Sequence, residues 1–544
     1  MTYDVLRHPS AGMLNSLSEI FVSKPPVYGL SLALPLLLFG TSATYKMALW
    51  INVLFYVPTI IGIYFLAKEF LSKTSSLLAA MLFAFYGFPL FYLHFVYSET
   101  ATTTFVVLTL LFLAKSKYFS DRKNTVLAAF FLSVGCITRW VTPLFTIGAI
   151  GITLGTWAFT LYKTKKRKPL VLNVLLFASV AITIPLIIYY IPNALYFSSY
   201  ATNTARSAPE WVESLTYLPK GLSDPFSIHS VMFYFNILSQ QTVYLFLLFC
   251  IGFVIAVLRF KKYLFFLISF IIPYIFFTFF SVLKDDRYIV PIYPTMAIIS
   301  AIVFEYIRHK KIKTLIISLT IIISILNFLG ASWGIGPLGK QGLKDIVLPE
   351  FIRHPRRIYM TTMVWPPIKD VTKARTIARI VTDNTDDKRN PYVLNTYTVN
   401  PLELDVALTS LEQFEQRGKF RAWNLRVITR GDYNDLFTHL NTADFIITKT
   451  KIPVDETKYT TYDTDQMVRI FNHALELPEG KLPDAFEKIA TVYYPLDMID
   501  LHVYKKKREV TKEEWVTFAT LLKKIDPQYT KKIEEGFEKK LIIH

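Results

Sequence analysis

The sequence has few residues that could cross-link the chain or hold a soft metal ion. Its 544 residues include only two cysteines, Cys136 and Cys250, and both fall inside apolar runs. This excludes a disulfide framework and a thiolate metal cage. Charged residues are also scarce at 18%, whereas 52% of the residues are hydrophobic, which is unusual for a soluble globular protein. The composition therefore predicts an integral membrane protein.

Several signatures of soluble enzymes and of nucleic-acid binding are missing as well. The region after residue 331 has no Gly-rich phosphate loop, no His/Cys metal spacing and no GxSxG motif. The formal net charge is +18, but in the first half the Lys and Arg residues form short clusters between apolar runs. They do not line a helix face, so nucleic acid is not an expected partner.

Apolar runs of about twenty residues recur along the first part of the chain, and each can cross a hydrocarbon core. About ten spans are predicted on this criterion, at 46–67, 76–94, 99–115, 122–138, 140–162, 170–191, 241–258, 264–283, 288–307 and 313–331. Lys and Arg concentrate in every second connection, which places those connections in the cytoplasm. The alternate connections and everything after residue 331 are predicted to face outward.

Residues 1–45 are predicted to form an outer loop and an interfacial helix, before a multi-span domain at 46–331. The alternation of basic loops puts this segment outside, yet nothing before residue 27 is hydrophobic enough for a signal peptide or a first span. We therefore expect the true start to lie upstream of Met1, with a short translocated N-terminus as the alternative. The run 27–42 is short and contains proline, which favours a helix lying in the membrane interface.

Residues 332–544 are predicted to form a soluble extracytoplasmic α/β domain, because charged residues become frequent and strand-like runs alternate with helix-like ones. The predicted strands are 392–397, 425–429, 443–448 and 499–505, and the predicted helices are 369–382, 402–416, 431–440, 464–475 and 512–524.

Four polar features interrupt the apolar background on the predicted outer side. They are Lys24 before two prolines with Tyr28, Glu99 in a Tyr-Ser-Glu-Thr motif, Arg139 in Thr-Arg-Trp, and the run Lys284, Asp285, Asp286, Arg287, Tyr288. Ionisable groups near hydrocarbon are costly unless paired or hydrated, so together they predict one polar cavity opening outward. The structural alternatives are a helix-dipole contact for Glu99, snorkelling for Arg139, and a local ion pair with Asp285 or Asp286 for Arg287.

The segments KPPVYGLSLALPLLLFG, YSET, GCITRWVTPLF and DDRYIVPIYP resemble, in that order, membrane glycosyltransferases of the C-type fold. The branch that they resemble is the dolichyl-phosphate-mannose-protein mannosyltransferase family, together with the lipid A aminoarabinose transferases. The resemblance covers roughly residues 20–310. It implies an inverting transferase that moves a sugar from a polyprenyl-phosphate carrier to an acceptor at the outer face. Protein, lipid and glycan acceptors all remain open, as does the donor sugar.

The chemistry of that reaction suggests roles for the polar residues. A leaving phosphate gains negative charge, and guanidinium groups bind phosphate bidentately, so Arg139 and Arg287 are the expected clamps, with Lys24 assisting. The resemblance places an acidic pair in the first outer loop, but this sequence offers only Asp4 and Glu19 there. Asp4 is the candidate base, and Glu99 matches a second acidic site with a donor or metal role.

The remaining expectations concern the surroundings of these groups and the competing functions. Tyr28, Asp285, Asp286 and Tyr288 are expected to support the phosphate-binding residues. A divalent metal ion is left open. An oligosaccharyltransferase shares the fold, but its Trp-Trp-Asp signature is absent from the sequence. An inactive relative acting as a scaffold and a transporter of lipid-linked sugars are the alternatives, although transporters more often show inverted repeats with broken helices at the bilayer midplane.

Overall fold

The computed structural model describes residues 26–39, 45–93, 97–163, 167–194, 226–242, 245–281, 286–333, 373–385, 391–395, 421–424, 439–449, 484–494 and 499–525. Asp4, Lys24 and Asp285 lie outside these ranges, as do the predicted strand 425–429 and the predicted helices 402–416 and 464–475. The chain divides into two compact units, one helical and the other containing a β-sheet.

The first described residue of the helical unit is Pro26 and the last is Trp333. Its α-helices are α1 (Pro26–Phe39), α2 (Tyr45–Lys68), α3 (Lys73–Phe85), α4 (Gly87–Tyr92), α5 (Glu99–Lys115), α6 (Arg122–Cys136), α7 (Thr142–Lys163), α8 (Arg167–Pro185), α9 (Ile228–Thr242), α10 (Leu245–Leu258), α11 (Phe260–Ile275), α12 (Tyr293–Ala301), α13 (Val303–Tyr306) and α14 (Lys310–Trp333). Helices α8 and α11 continue into π-helical turns at Leu186–Tyr190 and Phe276–Phe280, and a 3₁₀ segment, Asp286–Ile292, precedes α12.

Several of these helices are suited to a bilayer. Within the described residues, five stretches are long and apolar enough to cross a membrane: Trp50–Lys68, Thr142–Lys163, Lys168–Tyr190, Phe260–Phe280 and Arg287–Tyr306. Each coincides closely with one of the predicted spans. The count of about ten spans remains a prediction.

The predicted span 76–94 is instead two helices with a break at Tyr86. Helix α3 ends at Phe85, Tyr86 is extended, and α4 starts at Gly87. The cause is Pro89, because a proline inside a continuous helix would clash with the carbonyl four residues earlier, which belongs to Phe85. In the first turn of a new helix the same proline is tolerated.

Helix α5 is largely buried, although it carries a run of threonines. Thr102 Oγ1 donates to the carbonyl of Ser98 at 2.8 Å, and Thr103 Oγ1 donates to that of Glu99 at 2.7 Å. These bonds within the helix satisfy hydroxyls that have little water around them. The helix packs against α6, α7 and the 3₁₀ segment, so its first turn lies where these elements meet.

The second unit contains a five-stranded sheet. Its strands are β1 (Tyr392–Asn395), β2 (Arg421–Asn424), β3 (Phe445–Lys449), β4 (Phe486–Tyr494) and β5 (Ile499–Lys506), in the order β2-β1-β3-β5-β4. The β1 strand pairs in parallel with β2 and β3, whereas β5 pairs antiparallel with β3 and β4. Helix α15 (Ala374–Asp383) contributes Ile377 and Val381 to a core with Val393, Phe445 and Leu501.

A second helix of this unit, α16 (Lys512–Ile525), begins with a reciprocal cap. Glu514 accepts a hydrogen bond from the backbone N–H of Thr511 at 2.8 Å, and the Thr511 hydroxyl accepts one from the N–H of Glu514 at 3.3 Å. Arg508 donates to both carboxylate oxygens of Glu514, at 2.8 and 2.9 Å. This capping box fixes the start of a helix that the sequence places correctly.

Candidate active site

A buried ion pair joins two of the predicted site residues. Arg139 Nη1 lies 2.6 Å from Glu99 Oε1. The side chains are 15% and 3% exposed, respectively. An ion pair this far from water is stable only when both partners are present, because loss of either leaves an uncompensated charge. The two residues are forty positions apart, so the pairing depends on the tertiary fold.

Local structure places both partners. Glu99 is the first residue of α5, where the positive end of the helix dipole favours a carboxylate. Arg139 follows the end of α6, in a turn where its N–H donates to the carbonyl of Gly135 at 2.8 Å. The hydroxyl of Thr142 donates to the carbonyl of Arg139 at 2.7 Å and lies 2.8 Å from that of Gly135. Hydrogen bonds to both the N–H and the carbonyl of Arg139 therefore fix the backbone that carries the guanidinium.

A second arginine lies close to the same tyrosine ring as Arg139. The guanidinium carbon of Arg139 is 5.4 Å from the ring centroid of Tyr288, and that of Arg287 is 5.7 Å from the same centroid. Phe277 stacks on Tyr288 with the centroids 5.7 Å apart. Cation–π contacts of this length stabilise a guanidinium without using its N–H donors. Both arginines are thus gathered around one ring.

The 3₁₀ segment gives Arg287 and Tyr288 a rigid base. The next residues, Ile289, Val290 and Ile292, are buried almost completely. Pro291 restricts the backbone further. Arg287 and Tyr288 are only partly buried. The segment therefore anchors itself in the core while its first residues project toward the ion pair.

The carboxylate of Glu99 retains one unused acceptor. Its Oε2 is buried and has no hydrogen-bond partner among the described residues. Among the described side chains, Arg139 and Arg287 lie at the Tyr288 ring and Glu99 is paired with Arg139, so these three groups together carry a positive formal charge. Such a cluster suits an anion, above all a phosphate, which accepts bidentate hydrogen bonds from arginine.

Tyr28 and Asp286 are two further residues that the sequence predicted near the phosphate-binding arginines. The hydroxyl of Tyr28 donates to Asn52 Oδ1 at 2.8 Å, and the neighbouring N–H of Val27 donates to the carbonyl of Ile137 at 3.2 Å. Tyr28 is therefore tied to the turn that carries Arg139. The side chain of Asp286 is outside the described residues, so its expected role, like those of Asp4, Lys24 and Asp285, stays a prediction.

Tyr97 is a site residue that the sequence did not single out. Its ring centroid lies 5.5 Å from the guanidinium carbon of Arg287, which connects the Tyr-Ser-Glu-Thr motif to the 3₁₀ segment. The signal was its position two residues before Glu99. On its own, however, an aromatic residue in an apolar sequence does not indicate a functional site. Only the approach of α5 to the 3₁₀ segment shows what it contacts.

A metal site is not apparent in the described part of the chain, where no three His, Cys, Asp or Glu side chains come together. Asp4 and Asp285 lie outside that part. The expectation of a divalent ion therefore remains open.

Residues 23–189 match the family model of the dolichyl-phosphate-mannose-protein mannosyltransferases. The resemblance drawn from the sequence is confirmed there. The matched region contains Tyr28, Tyr97, Glu99 and Arg139, whereas Arg287 and the rest of the 3₁₀ segment lie beyond it. The position of Arg287 beside Arg139 comes from the structure.

Two groups of solved structures are similar to the whole chain at low identity. ArnT from Cupriavidus metallidurans, bound to undecaprenyl phosphate, is 13% identical, with 91% of this chain and 93% of that chain covered and a TM-score of 0.49. The oligosaccharyltransferase AglB from Archaeoglobus fulgidus, with an inhibitory peptide and a dolichol-phosphate, is 12% identical, with 88% and 66% covered and a TM-score of 0.49. No curated protein matches the chain. The family match and the site geometry, not these structural similarities, support the proposal below.

Proposed function

We propose that the protein is an inverting membrane glycosyltransferase that moves a sugar from a polyprenyl-phosphate donor to an acceptor at the outer face of the membrane. The observation that carries this proposal is the pair of arginines gathered around Tyr288, one of which is held by the buried Glu99. The match of residues 23–189 to a mannosyltransferase family supports the reaction class. The donor sugar and the acceptor, whether protein, lipid or glycan, are not part of the proposal.

In this mechanism the arginines act on the leaving phosphate. Cleavage of the glycosidic bond transfers its electron pair to the phosphate oxygen, and guanidinium groups fixed beside that oxygen lower the barrier. Because Arg139 and Arg287 are already oriented, little reorganisation is needed as the charge develops. Glu99 orients Arg139 through Oε1, which leaves Oε2 to accept a hydrogen bond from a substrate hydroxyl.

The proton of the acceptor hydroxyl requires a base. Glu99 is poorly suited to be the sole base, because one of its oxygens is held by Arg139 and the side chain is 3% exposed. Asp4 remains the candidate by resemblance. A base on the side of the sugar opposite the phosphate is what inversion requires.

Transfer of a labelled sugar from a polyprenyl-phosphate donor by purified variants tests the proposal. Arg139→Ala and Arg287→Ala are each expected to slow turnover by about a hundredfold, as when one oxyanion donor is lost. Arg→Lys at either position restores charge but not the bidentate fork, so rescue is partial. The matched control is Arg308→Ala, which removes an exposed arginine elsewhere in the same unit.

The outcomes separate the competing functions. Near-normal transfer by both Arg→Ala variants would show that Arg139 and Arg287 do not stabilise the leaving phosphate. Movement of the lipid-linked donor across vesicles by the wild-type protein, with no sugar transferred to any acceptor, would favour the transporter. Absence of both activities in a protein that still binds the donor would favour the scaffold.

The sidedness of the chain is part of the proposal. The alternation of basic connections places the unit after residue 331 outside the cytoplasm. A reporter that is active only in the cytoplasm, fused after His544, is expected to be inactive. Its activity, together with protection of the fused end from external protease, would reverse the orientation and move the candidate site to the other face.

A further inference from the structure

The connection between α5 and α6 contains an unusual stretch of backbone. Three successive residues other than glycine, Lys117, Tyr118 and Phe119, have φ angles of 48°, 59° and 64°. The left-handed region is disfavoured for a side chain with a Cβ atom, and usually only single residues adopt it. Strain of this kind persists only where the surrounding structure enforces it, and it is concentrated at functional positions.

The enforcing contacts are buried. Asn173 Nδ2 of α8 donates to the carbonyl of Phe119 at 2.7 Å. The hydroxyl of Ser116 accepts a hydrogen bond from the N–H of Phe119 at 3.2 Å. The ring of Phe119 is fully buried and lies 5.2 Å from that of Phe177. The turn is thus fastened to α8 by one hydrogen bond and one aromatic contact.

Exposed cationic and aromatic side chains on and near this turn form a surface. We name it the basic turn surface, and it consists of Lys117, Tyr118, Arg122, Lys123, Lys163 and Lys168. All six side chains are exposed. Lys168 belongs to α8 and precedes Asn173 by five residues, which is about 7.5 Å along a helix. Helix α8 in turn meets α7, where Trp157 Nε1 donates to the carbonyl of Leu170 at 3.2 Å.

One carboxylate lies within this stretch, and it is engaged elsewhere. Asp121 caps α6, with Oδ1 accepting from the N–H of Asn124 at 3.1 Å and Oδ2 accepting from its side-chain amide at 2.7 Å. The backbone hydrogen bond from Asn124 holds the pKa of Asp121 below its ordinary value. Asp121 also attracts Lys117, so it offsets part of the charge of the five cations in the basic turn surface, whose net charge stays positive.

Aromatic residues next to these cations indicate where the surface lies. The side chain of Tyr118 is 49% exposed, and those of Phe159 and Tyr162 at the end of α7 are 60% and 81% exposed. The ammonium group of Lys163 lies 4.2 Å from the ring centroid of Phe159. Exposed aromatic rings beside lysine and arginine are typical of the level of lipid headgroups.

We infer that the basic turn surface binds the phosphate of an anionic phospholipid such as phosphatidylglycerol. Cations near a membrane surface attract anionic lipids, and a phosphate can accept hydrogen bonds from several of them at once. A topology signal requires only positive charge. A binding site also requires a fixed backbone beneath the cations, and the contacts of Phe119 with Asn173 and Phe177 fix the backbone of this turn. This site is independent of the candidate active site.

Lipid titration of the purified full-length protein by native mass spectrometry tests the inference. The variant Lys117→Gln/Arg122→Gln/Lys123→Gln is compared with Arg308→Gln/Lys310→Gln/Lys311→Gln, which removes the same charge from exposed residues around the start of α14. The first variant is expected to bind phosphatidylglycerol at least tenfold more weakly. The second variant, and binding of phosphatidylcholine by either, should stay within about twofold of the wild type.

The contribution of the strained turn is tested by Asn173→Ala, which keeps every cation but removes the bond to the Phe119 carbonyl. It is expected to weaken phosphatidylglycerol binding about threefold or more, while phosphatidylcholine binding is unchanged. Equal losses in the two triple-glutamine variants would show that only total charge matters, and this would overturn the site. Unchanged binding in Asn173→Ala would overturn the role of the turn.

Discussion

Separating Glu99 from Arg139 is expected to destabilise the helical unit far more than separating an exposed pair. Their charged atoms lie 2.6 Å apart, and both side chains are largely removed from water. Glu99→Gln leaves an amide beside a guanidinium whose charge is no longer balanced. Breaking such a pair costs about 3–5 kcal/mol. Since Arg139 is 15% exposed, we expect the lower end, about 3 kcal/mol.

The chain offers a matched control in the sheet unit. Lys507 and Glu487 form an ion pair at 3.3 Å with side chains 54% and 52% exposed. Glu487→Gln removes the same charge by the same substitution. An exposed pair of this kind contributes about 0–1 kcal/mol, so the control should change the free energy of unfolding by no more than that.

The assay is a double-mutant cycle in mixed micelles under reversible unfolding conditions. It compares the wild type with Glu99→Gln, Arg139→Gln and the variant carrying both. The double variant should be less destabilised than the sum of the two single changes. The difference, which is the coupling between the two side chains, should be about 2 kcal/mol. A coupling below about 0.5 kcal/mol would refute the ion pair as a structural element of the site.

Two further predictions concern packing and pH. Gly252→Ala should destabilise the helical unit strongly, because a Cβ atom would lie 2.1 Å from the carbonyl oxygen of Ile299. Gly155→Ala is the control and should be neutral or stabilising, because a Cβ atom there would have nothing within 4 Å. Thermal unfolding of the two variants measures the difference. The Arg508 guanidinium lowers the pKa of Glu514 to about 2. The contribution of the ionised Glu514 to the free energy of unfolding is therefore present above the ordinary pKa of 4.5 and lost as the pH falls toward 2. The difference in unfolding free energy between the wild type and Glu514→Gln should shrink over that range, and a constant difference would contradict it.

The sequence predicted the helices well where one apolar run corresponds to one helix. The predicted span 99–115 coincides with α5, and 122–138 and 140–162 differ from α6 and α7 by about two residues at their ends. The prediction failed where one helix ends and another begins within an apolar region. Tyr86 ends α3 inside the predicted span 76–94, because hydropathy does not register the steric effect of Pro89.

In the sheet unit the sequence identified three strands and missed two. The predictions 392–397, 443–448 and 499–505 overlap β1, β3 and β5. The β4 strand was missed because its residues Phe486–Tyr494 mix charged and apolar types, and a register shift between Lys488 and Ala490 interrupts the alternation. The β2 strand was missed because only two of its four residues, Ala422 and Trp423, are apolar.

The residues of the candidate site were singled out from the sequence, but the contacts between them were not. Glu99, Arg139, Arg287 and Tyr288 were singled out because charge in an apolar background is visible in sequence. That Glu99 holds Arg139 was not predicted, since Arg139 has no carboxylate near it in the chain. The shared ring of Tyr288 was equally invisible, because it depends on α5, the α6–α7 turn and the 3₁₀ segment meeting in three dimensions.

The central claim is that Arg139 and Arg287 together bind the phosphate of a polyprenyl carrier. Equilibrium binding of undecaprenyl phosphate, without a sugar, to the purified protein measures this most directly, since it requires neither an acceptor nor a catalytic base. Each Arg→Ala change is expected to weaken binding at least tenfold, as expected for loss of a charged hydrogen bond. The double variant should bind no more tightly than the weaker single variant. A double variant with the dissociation constant of the wild-type protein would contradict the claim.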